Sequence, residues 1–232
     1  MLSCSQLMKK YMSATAIEDI TLKLEVGKIY ALLGPNGSGK TTFMKIAAGL
    51  IKPTAGTIQF EGRDIGTYSK AHIAYMPTEA YFYPYMTCRD IGKYYDDFFE
   101  DFDIEKFHLM LHNMELNPDQ KASKMSSGMM AKLKIAVTLS RNAKLIMLDE
   151  PLNGIDIIAR ERVINTITNN FSPDKTFVIS SHLVDELEPV INYAIFIKRG
   201  RVELMGPAEE LRRANEKSIV DLYKEIYADC QF

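Results

Sequence analysis

Residues 34–41 read Gly-Pro-Asn-Gly-Ser-Gly-Lys-Thr and fit the pattern G-x-x-x-x-G-K-[ST], which is typical of loops that bind phosphate groups. The apolar run at 29–33 predicts a buried strand of a parallel sheet before this loop, and residues 40–50 predict a helix after it. Glycines in this setting let backbone N–H groups face phosphate oxygens, and the positive N-terminus of the helix adds to the attraction. The sequence therefore predicts a nucleotide bound between this strand and this helix.

The residue types in the loop suit the parts of a nucleotide. We expect the Lys40 ammonium to reach the β- and γ-phosphates and the Thr41 hydroxyl to ligate Mg²⁺. The predicted nucleotide contacts are Gly34, Pro35, Asn36, Gly37, Ser38, Gly39, Lys40, Thr41 and Thr42.

Two acidic residues follow a second apolar run, Leu-Ile-Met-Leu at 145–148. Four apolar residues predict a buried strand, and ligands of open α/β sheets bind at the carboxyl ends of strands. Asp149 is expected to hold the Mg²⁺ shell. Glu150 is placed to accept a proton from an attacking water.

The rest of the chain alternates between strand and helix patterns. Ile20, Leu22, Leu24 and Val26 alternate with polar residues, which predicts a half-buried strand. Further strands are expected at 57–60, 73–76, 176–179, 194–198 and 201–205. Helices are expected from Thr87, with a capping box formed with Asp90, from Asp103, over 127–139 and around an apolar face at Ile219, Leu222, Tyr223 and Ile226.

Composition narrows the function classes. The 232 residues are 47% hydrophobic and carry a net charge of −2, which is not basic enough to make nucleic acid the expected partner. No apolar run approaches the ~20 residues that span a bilayer, and no signal peptide is predicted. Cys4, Cys88 and Cys230 are scattered, which indicates free thiols and not a metal site or disulfide framework.

Three further segments narrow the choice among nucleotide-binding proteins. Residues 125–129, Met-Ser-Ser-Gly-Met, resemble the signature L-S-G-G-Q of the ABC family, with Ser126 and Gly128 matching. Residues 151–156 resemble the D-loop of that family, and 180–182, Ser-Ser-His, end a predicted strand as its switch histidine does. Tyr11 stands where the family has an aromatic that stacks on adenine. In order and spacing, the chain resembles the ATP-binding subunits of ABC transporters over nearly its whole length.

The resemblance implies a fold. It is an α/β fold, a P-loop NTPase core with a mainly parallel sheet, an N-terminal antiparallel β portion and an inserted helical subdomain. The expected organisation is one domain over 1–232, with the core at 1–79 and 128–206, the helical insertion at 80–127 and C-terminal helices at 207–232.

The resemblance also implies a mechanism. Two such chains close head to tail on two ATP molecules, so that Ser126 and Gly128 of one copy bind the γ-phosphate held by Lys40 of the other. His182 would contact the γ-phosphate, and Asp156 of the D-loop is placed among the nucleotide contacts. The implied partners are a second ATPase subunit and a separate membrane permease. The chain would then lie on the cytoplasmic face of the membrane, and export is the expected direction.

The chain departs from the family pattern at several positions. Ser127 replaces the first glycine of the signature, and Met129 replaces its glutamine. Thr78 stands where the family usually has a glutamine that contacts Mg²⁺, so we expect Thr78 to reach the metal through a water. Glu79 is the alternative ligand if the loop is aligned one residue later.

Other features leave alternatives open. The aromatic run at 81–86 serves either to contact the permease or to pack inside the helical insertion. Lys121, Lys124, Lys132 and Lys134 are expected to form a solvated face. The competing functions are a soluble ABC ATPase that acts on ribosomes or DNA, and a nucleotide switch with little turnover.

Overall fold

The computed structural model describes residues 1–12 and 14–230, which form two β-sheets and a set of helices. The strands are β1 Leu2–Tyr11, β2 Ala14–Leu24, β3 Ile29–Leu33, β4 Ala55–Phe60, β5 Arg63–Asp64, β6 Ile73–Met76, β7 Leu145–Asp149, β8 Thr176–Ser181, β9 Tyr193–Lys198 and β10 Arg201–Pro207. The helices are α1 Lys40–Ala47, α2 Thr67–His72, α3 Cys88–Phe98, α4 Ile104–Asn113, α5 Ser127–Leu139, α6 Ile157–Asn169, α7 Val184–Leu187, α8 Ala208–Asn215 and α9 Ile219–Ile226, with a short 3₁₀ turn at Ala122–Lys124.

The larger sheet has the strand order β10-β9-β3-β8-β7-β6. Its pairs are parallel except for β9 with β10. The smaller sheet has the order β2-β1-β4-β5 and is antiparallel throughout. Helices α3, α4 and α5 lie between β6 and β7 along the chain. The predicted fold class is therefore confirmed.

Both faces of the larger sheet are covered, which explains the unbroken apolar runs in its central strands. Successive side chains of a strand point to opposite faces. In β3, Tyr30 and Leu32 belong to an apolar core shared with α1 and the smaller sheet. Ala31 and Leu33 belong to a second core shared with α4, α5 and α9.

The topology brings three segments of the predicted site to one edge of the larger sheet. Strand β8 pairs in parallel with β3 on one side and with β7 on the other, and its register matches Ser181 to Leu33 and Ser180 to Asp149. Because carboxyl ends of neighbouring parallel strands meet at one edge, the loop at 34–41, the acids at 149–150 and His182 converge there.

The helices between β6 and β7 begin as the sequence predicts. Thr87 and Asp90 form the predicted reciprocal cap of α3, with Thr87 N–H donating to Asp90 Oδ2 at 2.9 Å and Asp90 N–H donating to Thr87 Oγ1 at 3.1 Å. Asp103 caps α4. The division into core, insertion and C-terminal helices remains a prediction, since these contacts fix element starts and not domain boundaries.

Three local predictions were wrong. Val26 lies beyond the end of β2 in the connection to β3, where Gly27 has φ 74°, and its side chain is exposed. Helix α1 ends at Ala47 and not near Leu50, because Gly49 leaves the helical conformation with φ 71°. Lys134 is 5% exposed and is not part of a solvated face.

Among the described residues, no helix is both long and apolar enough to span a bilayer.

Candidate active site

The phosphate-binding loop joins β3 to α1, and its course requires glycine at two positions. At Gly39 φ is 112°, and a Cβ there would lie 2.6 Å from the carbonyl oxygen of Ala16. A Cβ on Gly34 would lie 2.5 Å from the carbonyl oxygen of Ile197. No described side chain caps the N-terminus of α1, so its first backbone N–H groups remain available to phosphate oxygens.

Lys40, Glu150 and His182 form a continuous chain of polar contacts. The buried Lys40 ammonium donates to the carbonyls of Gly34 at 2.6 Å and Pro35 at 3.1 Å. It also lies 3.2 Å from Glu150 Oε1, and Glu150 Oε2 lies 2.9 Å from His182 Nδ1. Three residues that are distant in sequence therefore meet beside the phosphate-binding loop.

One oxygen of Glu150 remains available for a further hydrogen bond. Glu150 Oε1 is buried and has no well-directed hydrogen bond within the described residues, so its contact with Lys40 is an ion pair and not a directed bond. The backbone of Glu150 adopts φ 50°, a left-handed conformation that costs about 1–3 kcal/mol in a non-glycine residue. Its N–H donates to Ser180 Oγ at 2.9 Å, which helps to hold this turn.

Asp149 is completely buried at the end of β7, and hydroxyl groups bind both of its oxygens. Ser180 Oγ donates to Oδ1 at 2.5 Å, and the Tyr75 hydroxyl donates to Oδ2 at 3.2 Å. Burial and the neighbouring Asp149 charge raise the pKa of Tyr75 above its ordinary value, so Tyr75 stays a donor at neutral pH. These two contacts fix the direction of the Asp149 carboxylate.

The loop after β6 lies against the end of β7. Thr78 Oγ1 is 3.5 Å from the carbonyl oxygen of Asp149, a long contact at the limit of a hydrogen bond. Glu79 lies on the outer side, where its carboxylate pairs with Lys45 of α1 at 3.0 Å. A hydrogen bond from Lys45 holds the pKa of Glu79 below its usual value. Thr78 is therefore nearer to Asp149, and Glu79 is engaged by a surface lysine.

A cleft of about 630 Å³ runs along the phosphate-binding loop, within the usual size range of small-molecule sites. Tyr11 forms one wall with its ring 45% exposed, and the Lys9 ammonium lies 5.0 Å from the ring centre. The lining residues are Tyr11, Ala16, Asn36, Gly37, Ser38, Gly39, Lys40, Thr41, Thr42, Thr78, Glu79, Glu150 and Asn153.

A larger cavity of about 850 Å³ lies on the other side of Pro35–Ser38. His182 and the C-terminal residues Tyr223 and Cys230 line it. The phosphate-binding loop is thus bordered by the C-terminal segment as well as by the cleft.

The signature and D-loop residues serve local roles within a single chain. Ser126 caps α5 by accepting from Met129 N–H at 3.2 Å, and Asp156 caps α6 by accepting from Ala159 N–H at 3.0 Å. A Cβ on Gly128 would lie 2.9 Å from the carbonyl oxygen of Gly154, so the two segments pack closely. Within the described part of the chain, Ser126, Gly128 and Asp156 are not in the lining of the cleft.

The comparison with known proteins decides the family. Residues 17–153 match the model of the family described as ABC transporter. The lantibiotic transport ATP-binding protein SrtF of Streptococcus pyogenes is 33% identical over 208 residues, which cover 88% of this chain and 90% of that protein. The chain belongs to the ABC transporter family. It is an ATP-binding subunit, and its predicted ATPase class is confirmed.

Further relatives agree with this assignment. The ABC transporter ATP-binding protein YtrB of Bacillus subtilis strain 168 is 28% identical over 215 residues, which cover 91% of this chain and 74% of that protein. A solved ATP-binding subunit of an ABC transporter superposes with a TM-score of 0.87 at 23% identity, covering 97% of this chain and 98% of that one. A cassette solved as a post-hydrolysis dimer with ADP and phosphate gives a TM-score of 0.80 at 20% identity, covering 89% of this chain and 98% of that one. Both superpositions show that the fold of ABC ATPase subunits is shared.

Sequence reasoning missed several residues of this ABC site. Tyr75 lies on β6, which pairs with β7, but neighbouring strands cannot be read from the chain order alone. Ser180 had a signal, since it stands two residues before His182. No sequence pattern pointed to Lys134 or Tyr227. Lys134 binds the Pro77 carbonyl and Tyr227 binds the Leu33 carbonyl, and each contact joins segments that are far apart in sequence.

Proposed function

We propose that this subunit hydrolyses ATP at two sites between two copies, or between this chain and a similar one, and so drives a separate membrane permease. One observation carries the proposal: Lys40, Glu150 and His182 form a connected polar chain beside the phosphate-binding loop, while the signature residues are not in the lining of the cleft along that loop. A complete site therefore requires a second ATPase subunit.

Glu150 is the proposed general base. Its buried Oε1 has no directed hydrogen bond within the described residues and can accept one from the attacking water. His182 orients the carboxylate through Oε2 and lies beside the loop that holds the γ-phosphate. Lys40 pairs with Glu150, and bound phosphates would compete for that ammonium.

The residues present fit Mg²⁺ bound together with ATP. The Thr41 hydroxyl lines the cleft, and Asp149 presents a carboxylate whose direction Ser180 and Tyr75 fix. Thr41 is proposed as a direct ligand, and Asp149 and Thr78 are proposed to hold its water shell. When bound, Mg²⁺ neutralises charge on the β- and γ-phosphate oxygens.

The signature is proposed to act on the nucleotide of the second subunit. Ser126 and Gly128 stand at the N-terminus of α5, where a hydroxyl and backbone N–H groups can bind an anion. Head-to-tail closure would bring them to the γ-phosphate held by the partner's phosphate-binding loop. Asp156 is proposed to contribute through the same interface.

The permease is proposed to dock on an aromatic groove of the helical region. This groove holds about 470 Å³ and includes Tyr83, Tyr94 and Phe98, whose side chains are exposed. Exposed aromatics in a concave surface favour contact with an apolar partner segment. The subunit would then lie on the cytoplasmic face of the membrane. Export is proposed because the helical segment Ser-Ile-Val-Asp-Leu-Tyr at 218–223 resembles the corresponding segment of compact subunits that partner export permeases.

Replacing Glu150 by glutamine tests the proposal, because it keeps the shape and removes the base. ATP turnover should fall by about 10²–10⁴-fold while ATP binding persists, and an ATP-bound dimer should accumulate in size-exclusion chromatography. Glu161→Gln, at an exposed position of α6, is the control and should behave as wild type. Glu150→Gln turnover within about threefold of wild type contradicts the assignment.

A further inference from the structure

Helix α5 carries a buried cation, Lys134, that hydrolysis as proposed above does not use. Its ammonium donates to the carbonyl oxygens of Pro77 at 2.9 Å and Thr78 at 2.6 Å. The side chain is 5% exposed, and burial lowers the pKa of this lysine below its usual value. A lysine buried in this way is costly unless its donors are satisfied, so these two bonds account for its presence.

The two carbonyls belong to the loop at the end of the cleft where Mg²⁺ is proposed to bind. This segment, Pro77–Glu79, is held from three directions. Lys134 binds its backbone from α5, Lys45 binds Glu79 from α1, and Thr78 Oγ1 faces the carbonyl oxygen of Asp149 at the end of β7. Of the three side chains that make these contacts, Lys134, Lys45 and Thr78, Lys134 is the most buried.

Helix α5 also presents the signature. Ser126 caps its N-terminus, and Lys134 follows eight positions later on the same helix, about 12 Å along the axis at 1.5 Å per residue. A helix of this length moves as a rigid rod. A displacement of the signature toward a partner's nucleotide therefore displaces the Lys134 ammonium as well.

We propose that Lys134 is a positioning residue that couples the signature helix to the Thr78 loop. When α5 moves to engage the partner's γ-phosphate, the two hydrogen bonds carry the backbone of Pro77 and Thr78 with it. The position of the Thr78 hydroxyl relative to Asp149, a long 3.5 Å contact to the Asp149 carbonyl in the single chain, then changes as the signature is engaged. This inference rests on the proposed function, since it requires hydrolysis between two subunits.

The proposed coupling predicts that loss of Lys134 affects kcat but not ATP affinity. Loss of a purely structural lysine would affect both. Lys134 binds the Thr78 backbone at the edge of the cleft, but within the described residues it makes no hydrogen bond to the phosphate-binding loop or to Tyr11, which are proposed to hold the nucleotide. Turnover depends on the placement of the Thr78 loop. Loss of Lys134 should therefore lower kcat and leave the ATP affinity of the isolated chain unchanged.

The chain offers a control lysine, Lys106, which is part-buried and also donates to a backbone carbonyl. Lys106 on α4 donates to the carbonyl oxygen of Leu139, the last residue of α5, at 2.6 Å. Burial lowers the pKa of Lys106 as it does that of Lys134. Lys106→Met therefore also removes a lysine-to-carbonyl hydrogen bond that involves α5, but at the end of the helix away from the signature and without contact to the Thr78 loop.

The experiment compares Lys134→Met and Lys106→Met with wild type in kcat, in affinity for a fluorescent ATP analogue and in melting temperature. We expect kcat of Lys134→Met to fall about tenfold or more, since small misplacements of reacting groups cost up to about 10²-fold. Its nucleotide affinity should stay within about twofold, and Lys106→Met should keep wild-type kcat. If Lys134→Met does not fold, Lys134→Gln, which keeps one N–H donor group, replaces it in the same comparison.

The outcomes separate this inference from the proposed function. Wild type that turns over no ATP contradicts the proposed function and this inference with it. An active wild type with Lys134→Met equally active contradicts the coupling alone. Equal losses of kcat in the two lysine variants contradict the coupling and indicate a purely structural role for Lys134. Parallel losses of kcat and nucleotide affinity in Lys134→Met lead to the same conclusion.

Discussion

Replacing Tyr227 by phenylalanine should weaken both folding and ATP binding, although Tyr227 lies outside the cleft. Its buried hydroxyl is 3.0 Å from the carbonyl oxygen of Leu33 and 2.9 Å from that of Ile197. Leu33 is the residue before Gly34, and the Ile197 carbonyl is the atom that a Cβ at Gly34 would meet. Burial raises the pKa of Tyr227 above its ordinary value, so the hydroxyl stays protonated and donates at neutral pH.

The expected magnitude follows from this geometry. One hydroxyl proton serves one carbonyl at a time, so Tyr227→Phe removes a single hydrogen bond and leaves a buried acceptor without that donor, which costs about 1–3 kcal/mol. For a chain of this size, the melting temperature should fall by about 2–4 °C per kcal/mol. If about 1 kcal/mol of this loss destabilises the phosphate-binding loop that follows Leu33, the Kd for ATP should rise about fivefold, since 1.4 kcal/mol corresponds to a tenfold change in Kd.

Tyr30→Phe is the matched control, because Tyr30 is the second residue of the strand that Leu33 ends. Its buried hydroxyl accepts from the N–H of Glu25 at 2.8 Å, at the opposite end of β3 from the loop. Thermal unfolding should show similar losses in the two variants, while a nucleotide titration should detect weaker binding only in Tyr227→Phe. Equal nucleotide affinities in the two variants would refute the argument that the Tyr227 hydroxyl supports the loop.

Two further predictions concern the loop after β6 and the composite site. Thr78→Val should raise the Mg²⁺ concentration needed for half-maximal ATPase activity, because the hydroxyl near Asp149 is lost, whereas Glu79→Ala should not, since Glu79 pairs with a surface lysine. A Mg²⁺ defect in Glu79→Ala alone would show that the loop is aligned one residue too early. A mixture of Ser126→Arg and Lys40→Ala chains should hydrolyse ATP faster than either variant alone, since mixed dimers retain one intact site. Mixed dimers without this gain would contradict the trans assignment.

Much of the phosphate-binding site could be predicted from the sequence, because the interactions that form it lie within one short segment. The strand, the glycine loop and the start of α1 occupy one short segment, and backbone N–H groups at a helix N-terminus attract phosphate wherever the segment lies. The cap of α3 by Thr87 and the bounds of α5 follow from equally local hydrogen bonds. The prediction that Val26 lies in a strand was wrong for a related reason. The alternation of apolar and polar residues continues past Leu24, but the extended strand backbone ends there.

The sequence by itself determined the nucleotide loop, the acid pair and the family, since each is written in neighbouring residues. Only the tertiary structure decided that β8 lies between β3 and β7, so that His182 meets Glu150 and Ser180 meets Asp149. It also decided that Lys134 is buried against Thr78, where the cluster of lysines predicted a solvated face. The physical reason is the same in each case: side chains distant along the chain interact only after strand order and helix packing bring them together, and one chain's residue pattern does not specify that order.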